Sequence, residues 1–72
     1  MHMQRVESSV LAAIGHDPAT SILQVVFRTG RIYQYHGVPR AVHEELLAAG
    51  SIGEYFNKRI RPRYRAVRVR KT

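Results

Sequence analysis

The stretch Ile22-Leu23-Gln24-Val25-Val26-Phe27-Arg28-Thr29-Gly30-Arg31-Ile32-Tyr33-Gln34-Tyr35 decides the fold. Leu23, Val25 and Phe27 share one face of an extended chain, and Gln24, Val26 and Arg28 share the other. The β-branched and aromatic content suits a pleated, half-buried strand. Thr29-Gly30 marks a hairpin, because glycine accepts the positive φ that such turns require. The chain then returns from Ile32 to Tyr35, with Tyr33 and Tyr35 on one face. For these tyrosines to join Leu23, Val25 and Phe27, the numbers of cross-strand partners must sum to an even value, as for Arg28 with Ile32. That parity predicts a three-residue loop with a bulge at Gly30, and it collects five apolar side chains on one core face.

Upstream, Val10 to Ile14 could be strand or helix; it is too short for a useful helix, so a strand is expected. Gly15-His16-Asp17-Pro18 reads as the following turn. Residues 4–8 are polar and read as irregular. Met1-His2-Met3 reads partly as a cloning remnant, with the natural start at Met3.

Downstream, Gly37-Val38-Pro39 ends the sheet, and Pro39 suits a first helical turn. A helix is predicted from Ala41 to Ala49. Val42, Leu46 and Ala49 lie on one face with Leu47 beside it, and Glu44 and Glu45 are turned away. Gly50 is a natural stop. Ser51-Ile52-Gly53-Glu54 fits a capping box, and Ile52, Tyr55, Phe56 and Ile60 then stripe a second short helix. Pro62 is expected to end it and to push Arg61 out of helical geometry. Beyond Tyr64, Val67 and Val69 alternate with Arg68 and Arg70. This pattern fits a fourth strand or a free arm, and the expectation is a tail that is at least partly disordered. The fold class is α+β: a small antiparallel three-stranded meander, with the C-terminal segment open as a fourth strand, packed against two short helices. The expected organisation is an N-terminal segment 1–7, a domain 8–64 and a basic tail 65–72.

Several motifs resemble the KTSC domain. They are Ser8-Ser9, Ile14-Gly15 with Asp17, Leu23-x-Val25-x-Phe27-x-x-Gly30, Tyr33-x-Tyr35-x-Gly37-Val38-Pro39, and Ser51-x-Gly53-x-Tyr55-Phe56-Asn57-x-x-Ile60-Arg61-x-x-Tyr64. That domain is found at the C-terminus of some lysyl-tRNA synthetases and as small stand-alone proteins. The resemblance implies a small α+β domain and supplies no activity or catalytic residue. Its context beside a tRNA-charging enzyme points to RNA by analogy. His16 and His43 stand where the resemblance leads one to expect aromatic residues.

The 72 residues make one small domain with a modest core and marginal stability. The chain has no cysteine, which excludes disulfides and thiolate metal sites and suits a cytoplasmic setting. No apolar run approaches the roughly 18–20 residues that span a bilayer, and the N-terminus lacks a secretory pattern. Twelve Lys and Arg against five Asp and Glu give a net charge of +7. Eight of these cations, Lys58, Arg59, Arg61, Arg63, Arg65, Arg68, Arg70 and Lys71, follow Asn57 with no acidic residue among them. The charge is therefore an end-group. It points to a polyanion: nucleic acid first, an acidic protein partner second, with no membrane partner expected.

The segment Tyr55-Phe56-Asn57-Lys58-Arg59-Ile60-Arg61 mixes aromatic rings with cations, as single-stranded nucleic-acid sites do. Phe56 reads as a core anchor, and Asn57 as a helix cap before a base-edge partner. The expected nucleic-acid-binding set is Tyr55, Asn57, Lys58, Arg59, Arg61, Arg63, Tyr64, Arg65, Arg68 and Arg70. Tyr33 and Tyr35 read first as core and second as base-stacking residues, and Gln34 with Arg28 as a surface contact on the other face. The histidines lack zinc-site spacing, so neither metal nor cofactor is expected. His36 with Tyr35, Arg40, Glu44 and Arg59 is a candidate acid–base cluster. The leading expectation is a non-catalytic accessory domain that binds RNA in preference to DNA. A protein-interaction or dimerising module is the alternative, and a small metal-independent ribonuclease the third.

Overall fold

The computed structural model describes residues 2–70. Strands β1 (Met3–Arg5), β2 (Leu11–Asp17), β3 (Ile22–Phe27) and β4 (Ile32–His36) run in sequence order. Helices α1 (Arg40–Ala48) and α2 (Ile52–Tyr55) and a π-helical turn (Phe56–Ile60) follow, and β5 (Arg65–Val69) closes the chain. The five strands form one antiparallel sheet in the order β1-β2-β3-β4-β5. The helical excursion between β4 and β5 covers one face of this sheet, here called the inner face.

The hairpin at the centre forms with the expected parity. Leu23 pairs with Tyr35 and Val25 with Tyr33. The Phe27 N–H donates to the Arg31 carbonyl at 2.8 Å and the Gly30 N–H to the Phe27 carbonyl at 2.9 Å. Arg28-Thr29-Gly30 is thus the three-residue loop, with Gly30 at φ 94°. The loop lies one residue earlier than in the Arg28–Ile32 example, at the same length, because Val26 is the partner of Ile32 and Phe27 faces Arg31. Leu23, Val25 and Tyr35 are buried in the core, with Phe27 and Tyr33 packed against it.

The sheet is larger than expected at both edges. Residues 3–5 form β1 on β2 instead of an irregular lead. The turn expected at Gly15-His16-Asp17-Pro18 begins later, since β2 runs through Asp17. Gly15 is a buried strand residue between Met3 and Gln24, and only the Asp-Pro half punctuates. Asp17 Oδ1 accepts from the Ala19 N–H at 3.0 Å. A register shift between Leu11 and Ala13 inserts one extra residue into β2. Leu11 and Ile14, three apart, therefore both face the core and are fully buried.

Pro39 flanks α1 as its N-cap. From this excursion Val38, Leu46, Phe56 and Ile60 are fully buried against the sheet. Half of the capping box forms: Ser51 Oγ accepts from the Glu54 N–H at 3.3 Å, while the Glu54 carboxylate turns to Lys58 at 2.8 Å. The second helix widens after one turn. The Arg61 N–H donates to the Phe56 carbonyl at 3.0 Å, a π bond. Contrary to expectation, Arg61 remains helical at φ −55°, ψ −45° despite the following proline. The turn bypasses Pro62, because the Arg63 and Tyr64 N–H groups both donate to the Ile60 carbonyl at 3.1 Å.

The largest difference is at the C-terminus. Arg65–Val69 is an ordered edge strand paired along β4, not a disordered tail. Strand alternation explains it: Val67 and Val69 join the outer face and Ala66 and Arg68 the inner face. The tail expectation for Lys71 and Thr72 falls outside the described residues.

Candidate nucleic-acid interface

Directly paired residues in an antiparallel sheet share a face. Tyr33 lies opposite Arg68 and Tyr35 opposite Ala66, so β5 carries Arg68 onto the inner face beside the tyrosines. The helical excursion borders this corner through Arg61 without filling it. It leaves a cleft of about 460 Å³ lined by Val10, Phe27, Thr29, Arg31, Tyr33, Tyr35, Arg61 and Ala66. Around the hairpin loop a second hollow of about 570 Å³ is lined by Arg31, Arg68 and Arg70 together with Thr29, Gly30, Ile32 and Val69.

The aromatic floor is a chain of edge-to-face contacts. Tyr33 meets Phe27 at 5.5 Å, Phe27 meets Phe56 at 5.6 Å, and Phe56 meets Tyr35 at 5.3 Å. Phe56 is sealed in the core, whereas Phe27 and Tyr33 are half-buried at the cleft. Burial pushes the Tyr35 hydroxyl up from its ordinary pKa, and the Arg61 charge opposes that rise. Arg61 is held in turn by Asn57, whose Oδ1 accepts from Nη1 at 3.2 Å. Asn57 thus orients Arg61 and does not cap the helix.

The expected site residues divide. Arg61, Arg68 and Arg70 line the two hollows. Tyr55, Lys58 and Arg59 line a separate hollow on the helical side with Ser51 and Glu54. Lys58 is paired with Glu54 there at 2.8 Å. The Tyr55 hydroxyl donates to Glu45 Oε1 at 3.3 Å, and burial together with that carboxylate raises its pKa. Arg63 is exposed in the turn before β5, and Tyr64 packs against the core. Arg65 is on the outer face, opposite His36. Arg31 and Phe27 belong to the cleft but not to the expected set, and Tyr33 lines it although its strand position reads first as core. The parity that puts Phe27 opposite Arg31 was the available signal.

The candidate acid–base cluster does not assemble. His36 lies in a small outer-face hollow with Arg65 and Val67. Arg40 is paired with Glu44 at 3.3 Å on α1. Gln34 is tied to Gln24 across the outer face at 2.8 Å, while Arg28 donates to the Ser8 carbonyl at 2.8 Å. His16 and His43 stack between β2 and α1, with centroids 5.2 Å apart and planes 14° from parallel. His16 Nε2 is 2.8 Å from the Val38 carbonyl, and His43 Nε2 is buried without a partner. Burial, then the neighbouring His16, lower the pKa of His43. Among the described residues no group of three or more His, Asp or Glu is placed to hold a metal, and no helix is long and apolar enough to cross a membrane.

A family model for the KTSC domain matches residues 7–64. The chain belongs to the KTSC domain family. A KTSC domain protein from Yersinia pestis, known from its crystal structure, superposes with a TM-score of 0.92 at 33% identity, covering 96% of this chain and 97% of that one. A protein of Tsukamurella paurometabola is 49% identical over 65 residues, 90% of this chain and 97% of its own length. A lysine–tRNA ligase of Nostoc is 41% identical over 59 residues, which are 82% of this chain and 10% of the ligase. The KTSC fold therefore occurs both as a nearly whole small protein and as a minor part of a larger enzyme.

Proposed function

We propose that this KTSC domain is a non-catalytic nucleic-acid-binding module that contacts phosphates through its basic C-terminal segment, with RNA favoured over DNA. The observation that carries the reading is the placement of β5. It sets Arg68 opposite Tyr33 and gathers Arg68 and Arg70 with Arg31 around the hairpin loop, next to the cleft that Arg31 and Arg61 line. Cations arranged along a groove bind a polyanion largely through counterion release. The lysine–tRNA ligases among the relatives act on a tRNA by name, which supports RNA and a cytoplasmic setting. Neither metal nor cofactor enters this reading. It is tested by fluorescence anisotropy of labelled RNA and DNA oligomers at two salt concentrations. The expected result is binding that weakens steeply with salt; no binding at low salt would remove the reading.

A second reading is favoured by the other side of the sheet. No helix covers the outer face among the described residues, and Val26, Ile32 and Val69 are half-buried there beside Val67, which is 44% exposed. Such a face suits a protein partner or a second copy of the chain. Sedimentation at rising concentration tests self-association, and a constant monomer mass would remove the dimer.

A further inference from the structure

The cleft offers more than charge. A surface that only neutralised phosphates would need cations along a groove and no exposed rings. Here the rings of Phe27 and Tyr33 are kept half-open at the floor, with Tyr35 beside them and Arg31 and Arg61 lining the same cleft. The volume of about 460 Å³ lies within the roughly 300–1,000 Å³ range of small-molecule sites. Among the described residues neither the Tyr33 nor the Tyr35 hydroxyl is engaged in a side-chain hydrogen bond, so both can meet a polar ring edge. Asn57 Oδ1 accepts from Arg61 Nη1 at 3.2 Å, which restrains the cation before any ligand arrives.

Resting on the nucleic-acid reading above, we infer that this cleft is a subsite for one unpaired nucleobase, packed on Tyr33 and Phe27, with its adjoining phosphate between Arg31 and Arg61. Stacking on a ring tolerates any base, because every base has a π face. A duplex keeps its bases stacked inside and presents none to the cleft. The subsite therefore selects single strands, loops and splayed ends over paired helices, without strong sequence preference.

The test compares three probes of equal length: single-stranded RNA, the same sugar–phosphate chain without bases, and duplex RNA. Wild-type protein should bind the single strand about tenfold more tightly than the abasic chain, as one stacked base implies. In Tyr33→Leu, which keeps an apolar side chain at the cleft, that ratio should fall towards one while abasic affinity stays within about twofold. Equal affinity of the wild-type protein for RNA and abasic chain would overturn the base subsite and leave the phosphate reading standing. No binding of any probe would overturn both. Should Tyr33→Leu fail to fold, titration of wild-type protein with adenosine monophosphate decides by NMR. Shifts confined to the Phe27, Tyr33 and Arg61 resonances are expected, and unmoved resonances at those positions would overturn the subsite.

Discussion

The two ends of the inner sheet face are built from the same kind of residue and do different work. At one end Phe56 is fully buried among Leu11, Val25, Leu46 and Ile60. At the other, Tyr33 and Phe27 continue the same aromatic chain into a cleft beside Arg31, Arg61 and Arg68. The helical excursion covers the first end and only borders the second, through Arg61. Ring content alone therefore separates nothing; what covers the ring does. Substitutions at the covered end should act on stability, and those at the open end on binding.

The largest effect belongs to the covered end. Phe56→Ala should cost about 3–5 kcal/mol, the range for removing a fully buried aromatic ring. In a domain this small that is a large share of the total stability, so loss of the cooperative transition in urea is expected. A near-normal midpoint would mean that the ring is not the anchor its burial implies. Gly53→Val comes next. A Cβ at Gly53 would lie 3.1 Å from Val10 Cγ2 and 3.3 Å from Ser8 Oγ. Ser8 cannot yield easily, since its Oγ accepts from the Val10 and Leu11 N–H groups. Overpacking of about 1–3 kcal/mol is expected from the shift in urea midpoint.

At the open end the change should be in binding. Arg61→Ala, Arg68→Ala and Arg70→Ala together should lower the slope of log affinity against log salt by about 2, at roughly 0.7 per single-strand phosphate contact. The unfolding free energy from urea titration should change by less than about 1 kcal/mol, because all three side chains are exposed. A smaller effect concerns pH. The pKa of His43 is lowered in the folded state, so the unfolded chain binds more protons near and below pH 6.5. This contribution is present above the unfolded pKa and is lost as pH falls through the lower folded value. Wild type should therefore lose more stability between pH 7.5 and pH 5 than His43→Phe, as measured by urea midpoints. An equal loss in both proteins would show that the stacked pair carries no such linkage.

The central hairpin was legible because alternation and parity are rigid: once Leu23, Val25 and Phe27 face inward, only an odd loop brings Tyr33 and Tyr35 with them. The β2 bulge was not, since one inserted residue erases the period that would have linked Leu11 to Ile14. The π turn was hidden for a similar reason. Pro62 reads as a local stop for its neighbour, yet the widened turn lets Arg61 stay helical and reach the cleft. The C-terminal strand had the right alternation in Val67, Arg68 and Val69, but its charge read as a tail. On an edge strand, arginines are compatible with pairing and discourage further strand addition. The cleft itself is a tertiary product. Arg31, Arg61 and Arg68 come from a loop, a helix end and a strand, and only the finished sheet makes them neighbours.

The measurement that tests the account most directly is single-stranded RNA binding by two triple variants of equal net charge. One removes the open-end cations by Arg31→Ala, Arg61→Ala and Arg68→Ala. The other removes Lys58, Arg59 and Arg63, which do not line the cleft, again by alanine. The first variant should lose most of its affinity and salt dependence while the second stays close to wild type. Equal losses in the two would show that binding follows net charge alone, and would contradict a site at the open end of the sheet.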